Sequence, residues 1–600
     1  MTPYLPKALG SGAAHSPDLS AASLPAELRR LVDRVLKRSR LWPAERADVE
    51  AELAAHFTDG LAAGLSTEKL IEEFGDPDAA ASLIRRAKVR LRPARWKAMH
   101  AIRRGVLACL AMTLLLFCFF SLRFYMGRPT ITRNIRQEIN APLAAIPADQ
   151  RAWPKYREAL AAMVNPHREK ETDGAGARLP PLEPYDSPEG AQANQKAIAK
   201  LREAAAMPRL GMMVDSRDDY LFISRQQARM LGQKDWETQD FGVVEDDPPA
   251  IHILLPHLGV FRGFARLLLQ DVDVGVREKD AQRVSGDLVA AMQMAAHSRE
   301  TPFLICDLVS MAIAEIAMGK VRQVLTETPS LLSDAALSRI SASLRAMGPR
   351  TELVRFDAEL MSFDDILQRS FTDNGHGDGR LTPAGVRLLS QLVSLSEREA
   401  GRPAAEVIAA PFSSSFGPGR KQLRETFAGS IARIEQWRQT PRWSRPAPPD
   451  LEIYRLSSVS ITPSSFLALL LPALDNAVAT TDQFDAVRDA TLAIIALEQF
   501  RRAKGNFPAS LDELVPSFLP CVPKDLADGQ TLRYRPSAGS YILYSIGTNL
   551  KDDGGKPPAT LPDDMTISNF RNRQLLDLGK IDWDWVFFPF RSYPKTSGER

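Results

Sequence analysis

The stretch best suited to binding an ion is "DNGHGDGRLT", residues 373–382. If Asn374 is taken as position one, His376 falls at position three and Asp378 at position five, and a glycine follows. Polar ligands at alternate positions before a turn-forming glycine are typical of a twelve-residue Ca²⁺ loop. Position twelve is Gly385 rather than a bidentate Glu, and only one carboxylate occupies a ligand position. The stretch therefore predicts either a weak Ca²⁺ site or a glycine-rich loop ahead of the next helix.

The loop at residues 374–385 resembles a degenerate EF-hand loop. Calcium is thus the one cofactor that the sequence suggests.

Signatures of catalysis are missing from the sequence. It contains no GxSxG, HExxH, Walker loop or GxGxxG motif, so no catalytic or cofactor-binding residue is predicted. His252, His257 and His297 stand among apolar residues and are predicted to be core or interface residues rather than catalytic bases. An enzyme without a recognised signature would need a pocket of convergent titratable groups, for example around His252, Asp373 or His376.

Composition excludes several classes of protein. The 76 basic and 73 acidic residues nearly balance, which removes the global argument for nucleic-acid binding. The four cysteines show no CxxC spacing, so neither a zinc site nor a disulfide scaffold is indicated. Cys306 and Cys521 are predicted to be buried thiols, with a disulfide between them as the alternative.

One stretch is suited to cross a membrane. Residues 105–122, "GVLACLAMTLLLFCFFSL", carry no charge, and 18 helical residues at about 1.5 Å each cover most of a hydrocarbon core of about 30 Å. The predicted transmembrane helix occupies residues 103–126. A secretory signal peptide would place its apolar region nearer the N-terminus.

The flanking charges predict the orientation. Nine cations and no acids lie between Arg85 and Arg104, whereas only four cations follow, up to Arg136. Cations beside a span remain cytoplasmic, so we expect the N-terminus inside and residues from about 128 onward outside. The cluster at Arg85–Arg104 is also expected to attract anionic lipid.

The segment before the span has the pattern of a small helical module. Residues 1–24 lack periodicity and are predicted to be disordered. From residue 25, apolar stripes indicate helices, and Ser66 and Asp76 are predicted caps. The predicted module spans residues 25–92. Within it, residues 25–88 resemble the HAAS module, through Glu50, Leu53 and His56 on one helix and the following "EEFGDP". The resemblance implies an interaction or regulatory head without catalytic residues.

Residues 129–480 alternate amphipathic helical stretches with proline- and glycine-bearing loops. No convincing strand pattern interrupts them, so a large, all-helical extracytoplasmic domain is predicted. A repeat solenoid is the alternative, although no fixed period is evident.

Residues 481–600 are predicted to form a small α+β module. A helix ending in "FRRAKGNFPASLDELVP" leads to "TLRYRPSAGSYILYSIG", which indicates an antiparallel hairpin. With "VPKD" and "NLKDDGG", residues 481–555 resemble the C-terminal region of the type II secretion major pseudopilin. In that family the loop after the last strand can hold Ca²⁺, so the resemblance implies a calcium site at Asn549, Asp552 and Asp553, whose oxygen ligands suit that ion. A solvated acidic turn is the alternative. Pseudopilins carry their apolar segment directly before the long helix; here it ends about 350 residues earlier. The resemblance therefore implies a domain shape and not a fibre.

The final aromatic run, "DWDWVFFPF", predicts either a tail that packs back on this module or an exposed patch for a partner.

Together these features predict a mainly α protein of the bacterial cytoplasmic membrane. The leading hypothesis is a membrane-anchored envelope protein that binds protein partners as a scaffold or in assembly. The alternative is a transmembrane regulator whose N-terminal module relays an extracytoplasmic signal to a cytoplasmic partner.

Overall fold

The computed structural model describes residues 23–164, 188–233, 236–238, 249–396, 404–447, 449, 464–547, 549–556 and 584–590. Most of the predicted disordered segment, residues 1–24, lies outside these ranges. The chain divides into two compact units, Met1–Cys118 and Phe119–Arg600. The fold is mostly helical, with one small antiparallel sheet near the C-terminus, as the sequence predicts.

The first unit begins with four short helices around a core of their own. These are α1 (Ala26–Ser39), α2 (Pro43–Ala62), α3 (Thr67–Phe74) and α4 (Pro77–Leu91). The predicted caps are confirmed, since the Ser66 side chain accepts from the Lys69 amide and that of Asp76 from the amides at 78 and 79. The apolar stripes of α1 and α2 are buried, including Val32 and Phe57, which are fully covered.

The long helix α5 (Ala94–Tyr125) follows and crosses the division between the units. Among the residues that the structure describes, two helical segments are long and apolar enough to cross a membrane: α5 and Ala250–Glu278. The most apolar 18 residues of α5 have a mean hydropathy of 2.4, and none of them is buried. For Ala250–Glu278 the mean hydropathy is 1.2, and half of those 18 residues are buried. Half-burial is typical of the core helix of a soluble fold, so α5 is the stronger candidate.

Thirteen helices make up the body among the described residues. They are α6 (Ile135–Ala144), α7 (Trp153–Ala162), α8 (Pro188–Ala193), α9 (Gln195–Ala205), α10 (Arg217–Met230), α11 (His257–Glu278), α12 (Ala281–Ser298), α13 (Leu304–Glu327), α14 (Asp334–Arg345), α15 (Asp357–Ser370), α16 (Pro383–Ser396), α17 (Ala404–Phe416) and α18 (Arg420–Gln439).

The centre of the body is formed by α11, α12 and α13, which pack successively against one another. Short links favour this arrangement: Lys279 ends α11 in the left-handed region, and the Asp280 carboxylate caps α12 by accepting from the Arg283 amide. Aromatic and aliphatic side chains such as Phe261, Phe264 and Val321 are fully buried there.

The helix α19 (Ser465–Lys504) is 40 residues long and leads into the C-terminal sheet. It passes without a break through position 480, where the sequence suggests a domain boundary, and one hydrophobic core continues from Ile135 to Phe588. Gly505, at φ +85°, ends the helix in a left-handed conformation that favours glycine.

The sheet has the order β1-β2-β3 and is antiparallel throughout. Its strands are β1 (Arg533–Ser537), β2 (Ser540–Ser545) and β3 (Trp585–Phe588). The β1–β2 hairpin is the predicted one, and its tight turn uses Gly539 at φ +76°. The third strand comes from the aromatic run, so the tail packs back on the module.

Candidate functional site

The joint between α4 and α5 is a tightly built polar site, formed by Trp42, Glu45, Arg92 and Trp96. Pro93 separates the two helices. Arg92 is extended, with ψ at 150°, as expected for a residue before proline. This places its side chain beside the first turn of α2 rather than along α4.

The Arg92 guanidinium has partners on every side. It donates two hydrogen bonds of 2.7 Å, one to each carboxylate oxygen of Glu45. It also lies 4.3 Å from the ring centroid of Trp42 and 4.4 Å from that of Trp96. Bidentate pairing and stacking between aromatic rings are contacts that a lysine does not reproduce. The joint therefore depends on arginine at this position.

Electrostatics reinforce the same contact. The hydrogen bond from Arg92 lowers the pKa of Glu45, although partial burial opposes the shift. The Glu45 carboxylate also accepts from the Trp42 backbone amide at 3.0 Å, at the start of α2, where a negative charge is favourable. One ion pair thus serves both the helix start and the joint.

A further contact holds α5 to α4, because the Lys97 ammonium donates to the Arg90 carbonyl at 2.6 Å. Within α5, the rings of Trp96 and His100 stack at 4.7 Å. Together with the contacts of Arg92, the Lys97 hydrogen bond restrains rotation of α5 about Pro93. Sequence reasoning missed this joint; two tryptophans beside a proline break were the available signal.

The cations around the joint fall into two groups. Arg92, Lys97 and Lys88 are used internally, and Lys88 faces Asp48 and Glu52 at 3.7 and 3.4 Å. The others are exposed or partly exposed, with no side-chain partner in the described part of the chain: Arg85, Arg86, Arg90, Arg95, Arg103 and Arg104. Six positive side chains therefore remain available to an anionic surface.

The first predicted ion loop is held by its own side chains. The Asn374 side-chain oxygen accepts from the amides of His376 and Asp378 at 2.9 and 3.2 Å. The Asp378 carboxylate accepts from the Lys421 amide in the first turn of α18. These oxygens act as turn and helix-start acceptors, which matches the glycine-rich-loop interpretation.

The three predicted ligands of the second ion loop have different hydrogen-bond partners. Asn549 donates to Asp553 at 3.0 Å, whereas Asp552 accepts from the Tyr544 hydroxyl at 2.9 Å and pairs with Arg535 at 3.3 Å. No group of three His, Cys, Asp or Glu side chains suited to a metal occurs in the described ranges. Calcium binding at either loop stays a prediction.

A residue that sequence reasoning missed anchors this second loop. Asp584 is fully buried and accepts from the amides of Gly555 and Asp553 at 2.7 and 3.3 Å. Burial raises the pKa of its carboxyl group. It immediately precedes β3, so the loop and the last strand are fixed together.

The body also has an open cleft of about 520 Å³. Three of its side chains contact one another: Asp219 accepts from the Trp153 indole at 2.8 Å and from Arg157 at 2.9 Å. Arg157 also stacks over Phe222 at 4.3 Å. None of His252, Asp373 and His376 lines it. The cleft is therefore separate from the residues around which the sequence suggests an active-site pocket.

Two of the three histidines that the sequence places among apolar residues are buried. His257 is almost fully covered, and burial lowers its pKa to about 4; His297 accepts or donates at 2.8 Å with the Tyr156 hydroxyl. His252 is partly exposed.

The two cysteines outside the apolar helix are both free thiols. Cys306 is buried, as predicted, whereas Cys521 is exposed, so its predicted burial is wrong.

Comparison with known proteins supports one part of the chain. A family model described as HAAS matches residues 31–82, which lie within α1 to α4. No curated protein and no solved structure matches the chain. The fold and the family match together show a mainly helical protein with a HAAS-like module near its N-terminus. The pseudopilin-like resemblance of residues 481–555 gains no support from the match.

Proposed function

We propose that this chain is a single-pass protein of the bacterial cytoplasmic membrane that acts through protein contacts, with α5 as its span. The main support for this proposal is that none of the most apolar 18 residues of α5 is buried. An exposed apolar helix of 32 residues is costly in water and stable in a bilayer. The cationic cluster before it favours a cytoplasmic module and an extracytoplasmic body.

Protein contact, rather than catalysis, is supported by the pairing of the polar groups. The cleft and both candidate loops use their charged atoms internally, as described above. The HAAS-like module has a core of its own and needs no help from the rest of the chain to bury it. A scaffold or assembly role in the envelope is the function most compatible with these features.

A protease test on spheroplasts examines the topology. With an epitope tag on the N-terminal module, protease added to intact spheroplasts should digest the body and leave the tagged module intact. In permeabilised cells the protease should digest both the body and the module. Digestion of the module with survival of the body in intact spheroplasts would overturn the orientation. If alkaline carbonate released the chain from the membrane fraction, the proposal that α5 spans the membrane would be wrong.

A second candidate function is a regulator that relays a signal across the membrane. The joint favours it, because Arg92, Glu45 and the two tryptophans couple the direction of α5 to the module. Deleting residues 25–92 separates the two roles. A scaffold should retain its extracytoplasmic partners after the deletion, whereas a regulator should lose its cytoplasmic output.

For the C-terminal module, we propose a pseudopilin-like shape without fibre assembly. A long helix followed by a small antiparallel sheet is the order of elements that the resemblance implies. The calcium site that the resemblance implies at Asn549, Asp552 and Asp553 is not part of this proposal, because Asp552 is engaged by Tyr544 and Arg535.

A further inference from the structure

The outer end of α5 is covered on one side by α17. Residues 407–419, which include the second half of α17, carry no charge. Two aromatic rings near the end of α17 contact a single ring of α5: Phe120 lies 5.6 Å from Phe412 and 5.1 Å from Phe416, centroid to centroid. A segment almost 300 residues away in sequence thus packs beside the last turns of the apolar helix.

The level of this contact along α5 is informative. Phe120 lies within the uncharged run, two residues before Leu122 and three before Arg123. At about 1.5 Å per residue, its backbone is about 3 Å from the end of that run. If α5 spans the membrane as proposed, the rings of α17 that touch Phe120 lie at the edge of the hydrocarbon layer.

The same region leaves large apolar rings uncovered. Phe416 is 73% exposed and Phe119 is 57% exposed. Their neighbourhood is continuous with the lipid-facing surface of the proposed span, which includes Leu116 and Leu122, both exposed. In water these rings would be an unfavourable patch, whereas acyl chains would cover them.

Positive charge follows directly after the rings. The Arg380 guanidinium donates to the Arg123 carbonyl at 3.1 Å, and its Nε is buried without a hydrogen-bond partner. Neither arginine has an acidic partner in the described part of the chain. Apolar rings at one level and unpaired arginines at the next reproduce the order of acyl chains and phosphates at a bilayer surface.

We propose that α17 lies in the boundary region of the extracytoplasmic leaflet, beside the end of α5. Phe412 and Phe416 face acyl chains, and Arg123 and Arg380 face the phosphates of lipid headgroups. The body is thereby held against the membrane by a second contact besides its connection to the span. This inference rests on the proposed span.

Depth measurement by spin labelling tests the inference on the full chain. Cys109→Ala, Cys118→Ala and Cys521→Ser remove the exposed thiols, and single cysteines are then introduced by Leu114→Cys, Phe416→Cys and Leu550→Cys. All three positions are more than half exposed, so a label can be accommodated. The labelled proteins are placed in nanodiscs of phosphatidylcholine and phosphatidylglycerol, and relaxation by oxygen is compared with relaxation by a water-soluble nickel chelate.

The expected result is an oxygen-to-nickel ratio at positions 114 and 416 several-fold above that at 550. If 114 is lipid-exposed but 416 resembles 550, α17 lies in water and the inference is wrong while the span stands. If 416 is shielded from both reagents, a protein partner or second copy covers it, and the inference is again wrong. If 114 resembles 550, the span itself fails and the inference fails with it.

Discussion

Arg445 and Asp482 form a doubly hydrogen-bonded ion pair in which both side chains are nearly inaccessible, at 1% and 2% exposure. The two bonds measure 2.5 and 2.9 Å, and Arg350 approaches the same carboxylate at 3.2 Å. The pair joins the segment after α18 to the middle of α19. Its burial makes it a sensitive point for the stability of the body.

Asp482→Asn should reduce the free energy of unfolding of the body by about 3–5 kcal/mol, because it leaves a buried arginine without a counter-charge. Denaturant unfolding of the purified protein in detergent, followed by tryptophan fluorescence, measures the change. Glu425→Gln is the control, since Glu425 belongs to a fully solvated pair with Lys421 at 4.0 Å and should change stability by less than about 0.5 kcal/mol. Equal effects for the two variants would contradict the prediction.

Arg92→Lys should loosen the joint although it keeps the charge. Loss of the bidentate bond and of stacking between Trp42 and Trp96 should cost the module about 1–2 kcal/mol. Hydrogen exchange at the amides of residues 94–100 reports the joint directly and should accelerate. Arg86→Lys is the matched control, because Arg86 is exposed and has no side-chain partner. Unchanged exchange in the Arg92 variant would mean that the joint is not held by this contact.

Glu359→Gln should alter the pH dependence of stability. Burial raises the pKa of Glu359 from 4.5 to about 7, and one of its oxygens has no hydrogen-bond partner. An acid whose pKa is raised by folding stabilises the protein fully below its unfolded pKa, and that contribution is lost as the pH rises from about 4.5 to about 7. The glutamine variant does not lose this contribution as the pH rises. At pH 8 its free energy of unfolding should therefore exceed that of the native chain by up to about 3 kcal/mol.

Unfolding midpoints at pH 5 and pH 8 measure this difference. Glu359 accepts from the Leu304 amide at 2.7 Å, and glutamine keeps that acceptor. Asp357→Asn, at an exposed position of the same helix, should leave the pH profile unchanged. A Glu359 variant with the native profile would rule out this carboxyl as the source.

Trp585→Ala should destabilise the C-terminal sheet by about 3–5 kcal/mol, because the side chain is 2% exposed and its removal leaves a cavity. Limited proteolysis within residues 533–545 measures the loosening of β1 and β2. Leu550→Ala, at 62% exposure, should have no effect above about 0.5 kcal/mol. Resistance to protease in the Trp585 variant would show that the sheet forms without β3.

Calcium should have little effect on the C-terminal module if Asp552 keeps its contacts with Tyr544 and Arg535. Unfolding midpoints with added CaCl₂ and with a chelator should coincide. A rise in the midpoint with Ca²⁺ that disappears in Asp553→Asn would instead establish the loop as a binding site.

The sequence predicts local features of this fold well. Ser66 and Asp76 mark helix starts through nearest-neighbour hydrogen bonds, and alternation marks the hairpin around Gly539; both signals lie within a few residues. The joint was missed because Trp42 and Arg92 are 50 positions apart, and no periodicity connects them. The aromatic run does not by itself predict strand β3 for the same reason, because four residues form a strand only when β2 pairs with them.

The candidate sites follow the same rule. Acidic and glycine-rich spacing locates two loops, but whether Asn374 or Asp552 is free to bind a cation depends on distant partners such as Lys421 and Tyr544. Pairing of that kind is set by tertiary packing.

The position of β3 also constrains the order of events during biosynthesis. Its partners on α13, α19 and β2 are all made earlier, and Asp584 beside it holds the acidic loop. The sheet therefore stays incomplete until synthesis has reached Phe588, and the apolar surface that β3 will cover is open until then. A ribosome stalled before that residue would leave a nascent body in need of a chaperone.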